Sequence, residues 1–263
     1  MRTLITIPEW LDHLIYDDLG ARYCRSNSDM VVIEWNNEEL LNYLGTYFPR
    51  SYTEAYCIAE RFLAANPSAF NGKIEISLFD FGSGTGGEIL GFLDAICKYC
   101  NRVERIRVKA LDGNQTALRL LEKVLTRYQE QIGIHIDLRT VPIVVEDIYD
   151  LSIYDSILTE SYDVVISFKT ICEFVTKQRL DRNPYSNFIR TFYNKLNNGG
   201  IIVLEDITSR NSVSQEWIPN MMDEAVHSYN IVDRNEGHNI QFMVNHSHQI
   251  NDISKVAWRI IAK

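Results

Sequence analysis

The chain has 263 residues, 46% hydrophobic and 23% charged, with a formal net charge of −9. That length suits one large domain, or an α/β domain with an extension, and the composition excludes a disordered or fibrous chain. The acidic balance argues against free nucleic acid as a partner, since phosphate neutralisation supplies most non-specific affinity there, and no stretch reaches the roughly 20 apolar residues of a membrane span.

Pro8 and Glu9 interrupt the first residues before a signal-peptide core develops. Cys24, Cys57, Cys97, Cys100 and Cys172 form an odd, scattered set, which reads as reduced thiols in a cytoplasmic protein. Residues 1–70 carry five Lys/Arg against ten Asp/Glu. Within them, Glu38 to Tyr47 and Tyr52 to Leu63 have helical spacing, with Leu40, Leu41, Leu44 and then Ala55, Ile58, Ala59, Phe62 recurring at three and four. The aromatic stretch from Tyr47 to Tyr56 reads as a connector placed to cover a ligand, with Tyr47, Arg50 and Tyr52 either touching that ligand or packing the extension onto the main domain. The loop from Ala65 to Gly72 then divides a helical N-terminal extension, 1–70, from a domain over 71–263.

Beyond the loop, apolar runs alternate with amphipathic stretches, the pattern of βαβ units and a parallel sheet. Strands are predicted near 74–81, 105–111, 134–145, 163–168 and 200–205, and helices near 86–100, 114–131, 186–197 and 214–227. A last pair, 239–245 and 255–262, is predicted as an antiparallel hairpin. Ile76 to Phe79, Val164 to Ile166 and Ile201 to Leu204 are almost continuously apolar, which puts the first, fourth and fifth strands at the centre. Arg105, Arg107 and Lys109 alternate with apolar residues, as do Asp137 and Arg139, which puts the second and third strands outward. The order 3-2-1-4-5 follows, with a ligand site beyond the carboxyl ends of the first and fourth strands.

The run Asp80-Phe81-Gly82-Ser83-Gly84-Thr85-Gly86-Gly87 lies at that point, between an apolar strand and a helix. Its glycines permit a tight turn with close backbone approach to a nucleotide-type ligand, and the GxGxxG spacing of Gly82, Gly84 and Gly87 fits NAD as well as S-adenosylmethionine. Asp80 favours the latter, because a carboxylate repels a pyrophosphate and accepts hydrogen bonds from an amino-acid ammonium. Asp112, ending the second strand, suits two ribose hydroxyls, or else caps the following helix.

Asp80, Gly82, Gly84 and Gly86 match the acidic-x-Gly-x-Gly-x-Gly motif, and here the sequence resembles the class I, Rossmann-like S-adenosylmethionine-dependent methyltransferases. Tyr162 to Phe168 resembles their fourth strand, and Leu196 to Glu205 their helix end, Gly-Gly turn and fifth strand. The resemblance implies a seven-stranded sheet of order 3-2-1-4-5-7-6 with the last strand antiparallel, and S-adenosylmethionine as cofactor. It implies cofactor contacts at Asp80, Gly82, Ser83, Gly84, Thr85 and Gly86, at Asp112 and Gly113, and at Ser167 and Phe168. After the third strand it implies an acid near the adenine amino group and an apolar neighbour, for which Asp147 and Ile148 are the candidates, although Asp147 reads equally as a turn acid.

Methyl transfer relies chiefly on positioning, with a general base only where the acceptor needs one. Any such residue is expected just after the fourth strand, where Lys169 and Glu173 are candidates, or form a surface ion pair if that segment is helical. The Asn/Asp-Pro-Pro-aromatic signature of exocyclic-amine methylation is missing, as is the Pro-Cys pattern of cytosine-C5 enzymes. Cys97 with Cys100, and His246 with His248 at a solvent-facing hairpin end, read as non-metal pairs.

The aromatic stretch ahead of an Asp-Phe-Gly-Ser-Gly loop is also similar, in part, to methyltransferase-like proteins associated with the small ribosomal subunit. Thr85 replaces a proline common in their loop, and no cysteine follows Cys172 where they carry a cluster. The leading expectation is a methyltransferase acting on a small molecule or protein. The alternatives are a methyltransferase-fold binding or assembly protein and an NAD-dependent oxidoreductase.

Overall fold

The computed structural model describes residues 2–25, 36–237 and 241–263. A seven-stranded sheet forms its centre: β2 (Glu75–Phe81), β3 (Arg105–Asp112), β4 (His135–Pro142), β5 (Tyr162–Phe168), β6 (Leu196–Ile207), β7 (Asn230–Asn235) and β10 (Val256–Ala262), in the order β4-β3-β2-β5-β6-β10-β7. The first five are parallel and β10 runs antiparallel between β6 and β7. This is the expected order, with the apolar strands central and the alternating ones outward. It is the Rossmann-like, seven-stranded sheet that the resemblance implied.

Side-chain alternation along the strands feeds two cores. Ile76, Leu78, Val164, Ile166, Ile201 and Val203 pack beneath α2 (Asn37–Ala65), α3 (Gly87–Tyr99) and α4 (Gln115–Ile132). Phe79, Phe81, Val165, Ile202 and Leu204 pack beneath α5 (Leu151–Ile157), α6 (Pro184–Tyr193) and α7 (Ile218–Val226). Among the described residues no helix is long and apolar enough to cross a membrane.

Three expectations need correction. The two N-terminal helices are one: α2 runs unbroken for 29 residues, and the aromatic connector is its middle. Pro49 lies inside it without a break, although proline cannot donate to the carbonyl four residues back. That carbonyl, on Gly45, instead accepts from the Tyr16 hydroxyl at 2.6 Å, so the orphaned acceptor is satisfied from outside the helix. A capping box at Asn36 and Glu39 starts the helix.

The sixth strand is β7, earlier in the chain than the predicted 239–245, of which residues 239 and 240 lie outside the described residues. The segment β8 (Gln241–His246) pairs instead with β9 (Gln249–Ser254) and, in parallel, with β1 (Arg2–Thr6), making a separate three-stranded sheet. The extension therefore begins with a strand, followed by the short helix α1 (Glu9–His13). Within the extension, residues 1 and 26–35 also lie outside the described residues. His246 is buried rather than solvent-facing, its Nδ1 sharing a hydrogen bond with the Tyr16 hydroxyl at 2.7 Å.

The contact between α2 and α3 is made by backbone. A Cβ added at Gly87 would fall 2.6 Å from the Phe48 carbonyl oxygen, and one at Gly91 would fall 2.1 Å from that of Tyr52. Glycine at both positions, one turn apart on α3, lets α2 lie against it and carries the residues before Phe48 over the carboxyl end of the sheet.

Candidate active site

A cleft opens beyond the carboxyl ends of β2, β3 and β5, where the strand order reverses. The glycine loop after β2 forms its floor, with Gly82 at φ 81° and Gly84 at φ 46°, in the left-handed region that glycine adopts freely. The loop is braced to β3: the N–H groups of Gly82 and Ser83 donate to the Leu111 carbonyl at 2.8 and 3.0 Å, and Gly86 N–H donates to Ser83 O at 2.8 Å. Gly84 N–H donates to Asp112 Oδ2 at 2.8 Å, while Asp112 Oδ1 accepts from Asn114 N–H at 2.7 Å. Burial raises the Asp112 pKa, and those two N–H groups oppose the rise.

Asp80 is fully buried beneath the loop, its carboxyl close to that of Glu88 and to the Phe81 backbone N–H. Its neighbour is Glu88, in the first turn of α3, which lines the cleft. Burial, then Glu88 and Asp112, push Asp80 well above the usual carboxylate range. Burial likewise pushes Glu88 up to about 8, against the opposing pull of its own backbone N–H and of Lys169. Two carboxyls in one dry site cannot both ionise, so the pair retains a proton.

Ile143, Val144 and Val145, following β4, form an apolar wall, with Phe81, Phe168 and Phe174 nearby. Tyr43 and Tyr47 of α2 roof the cleft, their rings stacked with centroids 5.1 Å apart. The Arg50 guanidinium lies 5.5 Å from the Tyr47 ring centroid.

After β5 the chain turns through Lys169 at φ 54° into a 3-10 turn at Ile171–Phe174. Lys169 and Glu173 therefore do not form the helical ion pair considered from their spacing. Lys169 pairs with Glu54 of α2, whose second oxygen accepts from the Ser254 hydroxyl. Burial disfavours the Lys169 charge, but Glu54 and Glu205 outweigh it and leave the pKa raised. Glu173 stands at the open rim, where burial against the cleft wall, with Asp206 and Asp112 nearby, pushes it up to about 7.

Of the residues predicted for the site, the cleft brings together Tyr47, Gly82, Gly84, Asp112, Gly113, Phe168, Lys169 and Glu173. Ser83, Thr85 and Gly86 belong to the loop without lining the cleft, and Ser167 is buried with its hydroxyl donating to Phe81 O at 3.1 Å. Arg50 and Tyr52 face elsewhere on α2: Arg50 forms a bidentate pair with Asp252, and Tyr52 donates to Asp94 at 2.5 Å. Asp147 pairs with Arg179 and caps Tyr149 N–H, and Ile148 is buried in the core beneath α5 and α6. The sequence reading passed over Tyr43, Ser51, Glu88, Phe174 and the Ile143–Val145 wall. Tyr43, Tyr47 and Ser51 are four apart, a stripe visible once α2 is read as continuous.

No family model matches the chain, and no curated protein matches it. Solved structures similar to it are methyltransferases. TrmN from Thermus thermophilus is 13% identical over 84% of this chain, with a TM-score of 0.46, and the match spans 53% of TrmN. The rRNA methyltransferase aviRa from Streptomyces viridochromogenes is 14% identical, covering 79% of this chain and 84% of its own, with a TM-score of 0.43. The glycopeptide N-methyltransferase MtfA, complexed with sinefungin, is 13% identical, covering 81% and 94%, with a TM-score of 0.46. The fold class rests on the chain's own strand order.

Proposed function

We propose that this protein is an S-adenosylmethionine-dependent methyltransferase that binds its cofactor in the cleft at the switch point. The observation carrying this reading is the set of carboxyl groups gathered at the cleft, which can answer a cationic ligand by releasing protons. Glu88, Asp112 and Glu173 line it and Asp80 lies beneath, whereas Lys169, the one basic side chain among the described lining residues, is already paired with Glu54. A ligand with a sulfonium and an ammonium suits those carboxyls, which ionise beside positive charge; a dinucleotide pyrophosphate does not. The N–H groups of Gly82, Ser83, Gly84 and Gly86 are taken by Leu111, Ser83 and Asp112, and the Glu88 carboxyl lies against its own backbone N–H at the start of α3. Those four donors are not available to a pyrophosphate, which weighs against the NAD-dependent reading.

The residues present fit the cofactor. Asp80 and Glu88 offer acceptors for the ammonium, Asp112 keeps free lone pairs for ribose hydroxyls, and Ile143 to Val145 give a flat apolar face for the adenine. Tyr43 and Tyr47 close the cleft from water. Bound S-adenosylmethionine supplies an electrophilic methyl group on its sulfonium sulfur. Lys169, locked between carboxylates, fixes the path of the loop after β5, and Glu173 at the rim accepts a proton from the acceptor. The acceptor class in keeping with the chain's overall charge is a small molecule or a protein.

Incubation with cofactor carrying a labelled methyl group and a fractionated cell extract tests the assignment. Label should pass to one acceptor fraction with the wild type and not with Asp112→Ala. Binding of cofactor without transfer to any fraction would instead mark a binding protein built on this fold.

A further inference from the structure

Away from the cleft, a groove between α6 and α7 has the opposite charge. Residues 177–195 contain Lys177, Arg179, Arg182, Arg190 and Lys195 against the single acid Asp181, in a chain of net charge −9. Arg182 and Arg190 both line the groove, and no carboxylate among the described residues lies within salt-bridge distance of either. The Arg182 side chain makes no hydrogen bond to a described residue, and that of Arg190 makes one, to Asn187 Oδ1 at 2.7 Å. Both guanidiniums thus keep open donors.

The Tyr149 ring at the head of the groove lies between Arg179 and Arg182, whose guanidinium carbons are 5.0 and 5.2 Å from its centroid. This stacking holds Arg182 at the groove without consuming its N–H groups. The Tyr149 hydroxyl is buried without a hydrogen-bond partner among the described residues. Ser186 and Ser228 line the same groove with hydroxyls likewise unused. Glu224, the one acid in the lining, accepts from the Asn183 side chain at 3.2 Å. Two forked cations and the two serine hydroxyls form a donor set suited to a tetrahedral, polyvalent oxyanion.

We propose that the groove between α6 and α7 binds the phosphate group of a nucleotide or of a nucleic-acid strand, held by Arg182 and Arg190 with the Ser186 and Ser228 hydroxyls, the Tyr149 ring positioning Arg182. The inference is independent of the cleft's activity. It also limits the argument from net charge, since −9 is a sum over the whole chain whereas a phosphate meets the local field.

The test is calorimetry of the full chain with inorganic phosphate, AMP and a ten-nucleotide single-stranded RNA, beside a titration with S-adenosylmethionine. At least one phosphate probe should bind. The Arg182→Gln/Arg190→Gln variant should weaken that binding tenfold or more, while S-adenosylmethionine binding stays within twofold and thermal unfolding is unchanged. If AMP binds as well as the strand, the groove takes a single phosphate. If the strand binds far better, with a salt dependence whose slope falls by roughly 1.4 in the double variant, it tracks a backbone. Either pattern upholds phosphate recognition. Failure of all three probes to bind, or equal binding by wild type and variant, overturns it, whatever S-adenosylmethionine does.

Discussion

Removing Asp252 probes how the inserted sheet holds the roof of the cleft. Asp252 on β9 is 1% exposed and accepts both Nε–H and Nη2–H of Arg50 on α2, at 2.7 and 2.8 Å; Arg50 is itself 8% exposed. Asp252→Ala leaves a guanidinium buried without its counter-charge, a loss of about 3–5 kcal/mol. At about 2–4 °C per kcal/mol for a chain somewhat above 200 residues, the midpoint of thermal unfolding should fall by roughly 6–20 °C. Because Arg50 also lies over Tyr47, the same variant should weaken ligand binding beyond its effect on stability. The double substitution Arg50→Met/Asp252→Leu removes the desolvation cost along with the attraction and should recover most of the stability. Urea unfolding followed by circular dichroism reads all three chains. A single variant within about 1 kcal/mol of wild type, or a double variant no better than the single, would refute the reasoning.

Three further outcomes follow from the geometry. Gly91→Ala drives a Cβ to 2.1 Å from the Tyr52 carbonyl and should destabilise by about 2 kcal/mol or more in denaturant titration; wild-type stability would mean α2 and α3 do not meet through backbone. Glu88, with a pKa of about 8, is mostly protonated at neutral pH, so a cationic ligand should expel close to one proton. Calorimetry in two buffers of different ionisation enthalpy measures that release, and identical heats would contradict it. The raised pKa also sets a sign for the free protein: the Glu88 contribution to stability is complete below about pH 4.5 and is lost as pH rises through about 8, so Glu88→Gln should flatten that decline. Glu173→Gln should lower kcat by about 10²–10⁴ with little change in KM and remove a rate limb near pH 7; an unchanged pH profile would exclude Glu173 as the base.

The sheet was legible because strand character reports coverage: Val164 to Ile166 are apolar on both faces, while Arg105, Arg107 and Lys109 alternate. The glycine loop and Asp112 were legible because a tight turn and a strand-ending acid leave local marks. The division of labour along α2 was not, because the aromatic stretch from Tyr47 to Tyr56 reads as a connector between two helices. Once the helix is continuous, its faces separate: Tyr43, Tyr47 and Ser51 face the cleft, Phe48 and Tyr52 lie against α3, and Arg50 and Glu54 reach Asp252 and Ser254. The sequence around Pro49 does not disclose the rescue of the Gly45 carbonyl by Tyr16, which lies 29 positions away. The small sheet was hidden for the same reason, since β1 pairs with β8 across almost the whole chain and neither strand carries a local signal for its partner.

The central claim is that the acidic cleft selects a sulfonium ligand over a dinucleotide. Isothermal calorimetry with S-adenosylmethionine and NADH, on wild type and on Glu88→Gln, tests it most directly. The account predicts saturable S-adenosylmethionine binding, at least tenfold weaker in the variant, and no heat from NADH. Binding of NADH by a wild-type protein that ignores S-adenosylmethionine would contradict it.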